Sequence, residues 1–286
     1  MIHILKTNIE KFTHVLQIAD IHIRLTKRHD EFKEVFSKLY KEIEKTPAST
    51  IVVLVGDVFH SKSDLSPESV EMASNLFKNI ANLRPLILVA GNHDATLSNK
   101  SRLDSLTPIV DALNHPNLFY LKTTGLYGIR NVLFNNMGVF DTPSNYILGK
   151  NIPAIYKNQY EHIIALFHGA VDKASLETGY SINNPAINNS LFDHHDIAML
   201  GDIHKHQNMQ NYDPDNFKPC IHYVGSLLQQ NHGESLREHG VSLWDLQTRT
   251  YKFIEIPNNY GYFTVEVKKG ELITDLTDLP KNVLFF

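Results

Sequence analysis

Five stretches of this chain end in side chains that could hold a divalent cation. They are Asp20-Ile21-His22, Gly56-Asp57-Val58-Phe59-His60, Gly91-Asn92-His93-Asp94, His168-Gly169 and Gly201-Asp202-Ile203-His204-Lys205-His206. Carboxylate, amide and imidazole donors with no thiolate among them suit Mn, Fe, Zn or Mg and disfavour the ions that sulfur selects. Side chains of an extended segment repeat every two residues, so Asp20 and His22 point to one side and can bind one ion together. A single Gly-Asp reads as a turn that closes a strand. Five such endings in one chain point instead to a metal centre and metal-assisted chemistry.

Each ending follows an apolar run that must deliver it. Ile51-Val52-Val53-Leu54-Val55 is a continuous run of β-branched and leucyl residues. That pattern fits a strand buried on both faces, in the middle of a helix-covered sheet. Gly56 ends the run and puts Asp57 at the sheet's carboxyl edge, where open α/β folds gather their ligands. Val15 to Ala19, Leu86 to Ala90, Ile163 to Phe167 and Ile197 to Leu200 lead in the same way to Asp20, Asn92, His168 and Asp202. If these strands align their ends, the donors converge on one edge.

Between the strands, residues 30–44 have helical spacing, with Phe32, Val35, Phe36, Leu39, Tyr40 and Ile43 on one face. Ser66-Pro67 is a serine cap followed by proline at the first helical position. The helix it opens is apolar on more than one stripe, one facing the sheet and part of the rest facing another protomer. A short helix over 103–113 is interrupted near Pro108, and residues 118–141 suggest a second sheet built of hairpins. Residues 146–160 form a tyrosine-bearing excursion, either a surface loop or the lining of a substrate groove. The polar stretch 171–189 is long enough to be functional or mobile. Residues 221–230, 240–245 and 251–256 read as antiparallel strands, and 257–259 as a domain boundary.

Composition narrows the class. A chain of 286 residues with 42% hydrophobic content can bury a full core, and one large domain with a small appendage is the expected division. The net charge of -4 announces no global basic field, so a polyanionic substrate has to be met locally. The single Cys220 excludes an internal disulfide and fits a reducing compartment. The charged residues among the first twenty exclude a signal-peptide core, and no run is long enough to span a bilayer. Location in the cytoplasm, or the host-cell equivalent, is the expectation.

The ordered set Asp-x-His, Gly-Asp-x-x-His, Gly-Asn-His-Asp, His-Gly and Gly-x-x-His over residues 20–206 resembles the calcineurin-like metallophosphoesterase superfamily. The resemblance implies an α/β fold, a four-layer sandwich of two mixed β-sheets flanked by helices. It also implies two divalent ions, Mn2+ with Mg2+ as the alternative, that share Asp57. Asp20 and His22 then bind one ion, and Asn92 and His168 the other. The last motif departs from the family's usual Gly-His-x-His. Either Asp202 replaces the first histidine and His204 is the second, or His204 and His206 are the pair; the first register keeps the glycine turn. With Asp202 the ligand set is more anionic by one charge, which favours Mn or Mg. His93 is then placed to protonate the leaving alkoxide, with Asp94 fixing its tautomer, and His60 contacts the phosphate or nucleotide.

Within the superfamily, Ile18 to Arg24, Gly56 to Ser61, Gly91 to Asp94, Leu200 to Lys205 and Tyr223 to Gln230 resemble the SbcD-type double-strand-break-repair nucleases, including phage and viral recombination exonucleases. The last stretch has no metal role and separates this branch from phosphatases. Similarity covers about residues 12–257, giving a nuclease domain over 1–257 and, over 258–286, the incomplete beginning of a capping domain. The branch implies 3′ to 5′ exonuclease action on duplex ends and endonuclease action on single strands. It further implies DNA as partner, a homodimer and an SMC-like ATPase, with no membrane. DNA contacts fall to loops bearing Arg24, Lys27, Arg28, Lys62, Lys100, Arg102 and Lys205. Other readings are a phosphatase, a cyclic-nucleotide phosphodiesterase, or an inactivated scaffold of the same fold.

Overall fold

The structure is a computed structural model that describes residues 2–62, 64–99, 102–277 and 279–284. In chain order the elements are β1 (Ile2–Ile4), β2 (His14–Ile18), α1 (His29–Lys45), β3 (Thr50–Val55), α2 (Pro67–Leu83), β4 (Leu86–Val89), α3 (Thr107–Leu113), β5 (Leu118–Tyr120), β6 (Gly125–Ile129), β7 (Val132–Met137), α4 (Ala154–Gln159), β8 (His162–His168), β9 (Ile197–Gly201), β10 (Gln207–Gln210), β11 (Cys220–Tyr223), β12 (Gly240–Asp245) and β13 (Thr250–Glu255). Four two-residue strands follow between Tyr260 and Val283 and pair only among themselves.

Two mixed sheets result. One has the order β13-β12-β2-β3-β4-β5, in which β2 to β5 run parallel, β12 is antiparallel to β2, and β13 is antiparallel to β12. The other has the order β1-β6-β7-β8-β9-β11-β10, parallel from β7 through β8 and β9 to β11. The period of two sorts the side chains. Val15, Ile51, Val53 and Val55 meet Phe134, Ile164, Leu166 and Met199 between the sheets. Leu16, Val52 and Leu54 face the other way, onto the helices α1, α2 and α3. The outer face of the second sheet is covered by α4 and by irregular chain from residues 139–192. The chain is thus the layered α/β sandwich of two mixed sheets with flanking helices.

Local chemistry explains the helices. Ser66 caps α2 by accepting from the Ser69 backbone N–H, and Ser69 returns a bond to the Ser66 N–H. On α2, Met72, Ala73, Leu76, Phe77 and Ile80 are buried against the sheet, α1 and α3, and Val70 is half-buried. The helix expected over 103–113 starts only at Thr107, so Pro108 lies in its first turn rather than interrupting it.

Two strand expectations are corrected. Of the segment 118–141, β6 and β7 form a hairpin in the second sheet while β5 joins the first sheet, and β8 and β9 then run parallel to β7. The segment 221–230 splits into β11, parallel to β9, and a loop over Val224–Gln230. The excursion 146–160 does not line a groove at the strand ends; Tyr146 packs against Phe167 and Tyr156 and Tyr160 on the outer face of the second sheet. Among the described residues, no helix is long and apolar enough to cross a membrane.

Candidate metal centre

The carboxyl ends of β2, β3 and β4 in one sheet meet those of β8 and β9 in the other. Asp57 stands at the meeting point, with Oδ2 3.5 Å from His22 Nε2 and Oδ1 3.3 Å from His168 Nε2. His22 Nε2 lies 3.0 Å from His204 Nε2, and His168 Nε2 lies 3.3 Å from Asn92 Oδ1 and 3.9 Å from Asp202 Oδ1. Both oxygens of Asp20 accept from the Asp202 backbone N–H at 3.1 Å. Asp20, His22, Asp57 and His168 are buried.

The backbone is bent to bring this about. Asp20, His22, Asp57 and Asp202 all adopt positive φ, at 51°, 55°, 54° and 90°. A non-glycine residue held in a sparsely populated region costs about 1–3 kcal/mol, and such strain gathers where function over-determines the geometry. Gly56 is glycine for two reasons. Its φ is 82°, and a Cβ there would collide with the His168 ring.

Three of the imidazoles, His168, His204 and His93, are oriented through Nδ1. His168 Nδ1 donates to the Val55 carbonyl at 2.8 Å, which leaves the lone pair of Nε2 facing Asp57. His204 Nδ1 bonds the Glu234 carboxylate at 2.8 Å, and His93 Nδ1 donates to the His60 carbonyl at 2.6 Å. Arg24 Nη1 donates to His60 Nε2 at 2.9 Å.

The residues present fit divalent ions. Asp20, His22 and His204 form one group of candidate ligand atoms within 4.8 Å of one another, and Asp20, Asp57 and His168 form a second. Ligand bonds of about 2.0–2.2 Å place neighbouring donors roughly 3 Å apart, the spacing of the two facing Nε2 atoms. His22 Nδ1 is buried with no hydrogen-bond partner, so this ring is held for what its Nε2 meets. No sulfur takes part, because Cys220 is buried in β11, where burial pushes its thiol up to about 11. A third group, His22, His60 and His93, gathers three imidazoles beside these.

Without a cation the centre keeps protons. Burial pushes Asp20 up to about 7, with the Asp57 and Asp202 charges adding and the imidazoles of His168 and His204 opposing. Burial acts on Asp57 in the same sense, but His168, His22 and the His93 N–H together hold it below the ordinary carboxylate range. His168 is raised well above an ordinary imidazole, against its burial, by Asp57, Asp20 and Asp202. His204 is raised to about 9, against burial, chiefly by its hydrogen bond to Glu234. Burial and the neighbouring imidazoles lower His22 despite Asp57. An arriving ion therefore has protons to displace.

The remaining sequence-derived residues divide. Asp202 borders His168, whereas His206 lies elsewhere, its ring centroid 4.0 Å from that of Phe253 and 4.9 Å from that of His222. The structure thus brings Asp202 and His204 to the strand ends and leaves His206 apart from them. The expectation that Asp94 fixes the His93 tautomer is corrected. Asp94 accepts from the Phe59 and Gly91 N–H groups at 3.0 and 2.9 Å, so it ties the loops after β3 and β4 together, and the His60 carbonyl orients His93. Burial pushes Asp94 up to about 7. His60, lowered to about 4 by burial and by Arg24, stacks beside His93 with centroids 5.8 Å apart.

Among the cations expected to meet DNA, Arg28 is withdrawn, since it is buried in an ion pair with Glu31 and donates to the Gln229 carbonyl. Arg24 is half-buried against His60 and the Gln230 carbonyl. Lys27, Lys62 and Arg102 are exposed, and Lys100 lies outside the described residues. Lys205, Asp202 and His204 border a cavity of about 290 Å³ beside the centre, which Leu176, Thr178 and Asn231 also line. Glu234 was not legible beforehand; no spacing marks it, and only the fold of the 229–239 loop brings it to His204.

Three comparisons bear on identity. Uncharacterized protein R555 of Acanthamoeba polyphaga mimivirus is 41% identical over 284 residues, covering 97% of this chain and 20% of that protein, so the chain spans about a fifth of its relative's length. Two solved structures are similar over most of the chain at low identity. A cold-active protein tyrosine phosphatase matches with 14% identity and a TM-score of 0.41, covering 88% of this chain and 80% of that one. The cold-active protein-tyrosine phosphatase of a psychrophilic Shewanella species matches with 12% identity and a TM-score of 0.34, covering 87% and 85%. Likeness at that level bears on neither substrate nor reaction. The model of the calcineurin-like phosphoesterase family matches residues 13–206, a span that begins just before β2 and ends just past His204. With more than half of its length matched and every strand-end donor inside the match, the chain belongs to the calcineurin-like metallophosphoesterase family.

Proposed function

We propose that this metal-dependent phosphoesterase is a DNA nuclease of the double-strand-break-repair type, cutting phosphodiesters 3′ to 5′ from duplex ends and internally in single strands. The observation that carries the reading of a two-ion phosphoester hydrolase is the position of Asp57, whose two oxygens face His22 and His168 separately, as a carboxylate shared between two ions can. Asp20, His22 and His204 would hold one ion with Asp57, and Asn92, His168 and Asp202 the other. Two such ions, when bound, clamp a phosphate and make a water nucleophilic for in-line displacement.

The chain's own residues supply the rest. His93 keeps its Nδ1 proton on the His60 carbonyl, so as the imidazolium it would give its Nε2 proton to the departing oxygen and be left as the neutral ring. Arg24 holds His60 in place through its Nε2. DNA as the substrate is supported by the Tyr223–Gln230 stretch, which resembles the nuclease branch and lies beside the centre. There the Gln230 side chain donates to the Ile21 carbonyl between Asp20 and His22. Lys27, Lys62, Arg102 and Lys205 are the cations offered to the phosphate backbone. A second copy of the chain and an SMC-like ATPase are proposed partners, Mn2+ the proposed ion, and the cytoplasm or host-cell equivalent the proposed location.

The test presents linear duplex, circular single-stranded DNA and a small aryl phosphate ester to the protein with Mn2+, Mg2+ or EDTA. Cleavage of both DNAs with Mn2+ and none with EDTA is expected. Phosphate release from the aryl ester far faster than either DNA is cut would assign a phosphatase instead. Inactivity on all three would leave the scaffold reading.

A further inference from the structure

Glu234 belongs to neither ligand group and to none of the five motifs, yet its side chain is only 6% exposed and both its oxygens are engaged. Oε1 meets His204 Nδ1 at 2.8 Å and accepts from Asn231 Nδ2 at 2.7 Å, while Oε2 accepts from the Gln230 backbone N–H at 2.7 Å. The strap that carries it is anchored twice more. Gln229 Nε2 donates to the Glu234 carbonyl at 2.9 Å and to the Tyr262 carbonyl at 3.1 Å, and its Oε1 accepts from the Tyr262 N–H at 2.7 Å. Two donors besides His204, the Asn231 amide and the Gln230 N–H, therefore fix this buried carboxylate, so that His204 is placed by it.

We propose that Glu234 is the positioning residue for His204. It holds Nδ1 as the protonated nitrogen, keeps the Nε2 lone pair turned toward Asp20 and His22, and so decides how tightly that side of the centre takes a divalent ion. This rests on the metal reading of the site given above. His168, on the other side, is oriented by a neutral backbone carbonyl, so the two ions are held by histidines of unequal support. The strap also lines the cavity beside Asp202 and His204, which ties its position to the space a substrate would enter.

Isothermal titration of Mn2+ into metal-stripped protein tests the proposal, with wild type, Glu234→Ala, Glu234→Gln and His204→Ala compared and thermal melts run on each. Wild type is expected to take two ions. His204→Ala should weaken one of them, and Glu234→Ala should weaken that same ion by about 10- to 100-fold while leaving the other unchanged. Glu234→Gln, which keeps an acceptor for Nδ1 and the shape of the strap, should recover part of the loss. Nitrogen chemical shifts of 15N-histidine-labelled protein should show His204 losing its single tautomer in Glu234→Ala and keeping it in Glu234→Gln. Wild-type affinity for both ions in Glu234→Ala, with His204→Ala impaired, overturns the role of Glu234 alone. Equal weakening of both ions in the isosteric Glu234→Gln also overturns it, since that is a general charge effect. Unaltered binding in His204→Ala takes down the metal reading together with the inference.

Discussion

Replacing Asp57 by Asn keeps the shape of the side chain but removes the charge that both His22 and His168 face. Because outer groups alone are worth about 10- to 100-fold in metal affinity or activity, Asp57→Asn should cost at least about 100-fold in hydrolysis. Circular dichroism should remain native. Asp202 and His206 separate in the same assay. Asp202→Ala should lower ion occupancy measured by elemental analysis. His206→Ala should leave occupancy unchanged and lose the ring contacts to Phe253, His222 and Tyr251, about 0.5–1.5 kcal/mol in urea unfolding. The reverse result would restore the other register.

Proton linkage belongs to the same scale. Asp20 has a folded pKa of about 7 in the metal-free site, above the ordinary 3.8. Its contribution to stability is therefore fully present below about 3.8 and is lost as pH rises through about 7, where the buried carboxylate must ionise. An ion needs that ionised form. Mn2+ affinity should then rise by more than about tenfold per pH unit below 7, where Asp20 and His204 both carry protons, and keep rising more gently above 7 as His204 loses its proton at about 9, with proton release visible as a dependence of titration heat on buffer ionisation enthalpy. A flat affinity between pH 5.5 and 8 would remove Asp20 from the ligand set.

At the scale of elements, the centre depends on two sheets keeping one alignment, and Gln17 on β2 is where they are tied. It is fully buried between the sheets, with Nε2 donating to the Leu200 carbonyl at 3.1 Å and Oε1 accepting from Trp244 Nε1 at 2.9 Å. Leu200 immediately precedes Gly201 and Asp202 on β9, while β2 leads to Asp20. Gln17→Leu would leave the indole N–H and a carbonyl unpaired, a loss of about 1–3 kcal/mol on urea unfolding. It should also weaken metal binding although it touches no ligand, because Asp20 and Asp202 would no longer be held in register. A variant destabilised to that extent but with unchanged Mn2+ affinity would show that the loops alone set the site.

For the whole molecule, buried carboxylates gathered with imidazoles at strand ends carrying positive φ make an apo state that is poorer than the loaded one. Ion binding to the folded chain only adds about 2.7 kcal/mol at a hundredfold excess over Kd, and each kcal/mol raises Tm by roughly 2–4 °C in chains approaching this size. Scanning calorimetry should show the melt rising by several degrees from EDTA to Mn2+. The rise should nearly vanish in Asp57→Asn.

The residues alone determined the strands and their endings, because a run such as Ile51 to Val55 buried on both faces has few places to go except the middle of a sheet, and the glycine after it marks where the chain turns. They determined α1 and the Ser66 cap for equally local reasons. They determined the candidate ligands Asp20, His22, Asp57, Asn92 and His168 as well, since a donor at a strand's carboxyl end is already near its neighbours. The last motif stayed open between Asp202 and His206, because spacing two residues apart puts either on an acceptable side. In the fold Asp202 lies beside His168, whereas His206 packs against Phe253 on β13. Tertiary structure alone decided that His60 rather than Asp94 orients His93, that Arg28 is held by Glu31, and that Glu234 reaches His204 from thirty residues further along. Each of these is a contact between loops, whose paths are set by how two sheets stack and not by the period of any strand.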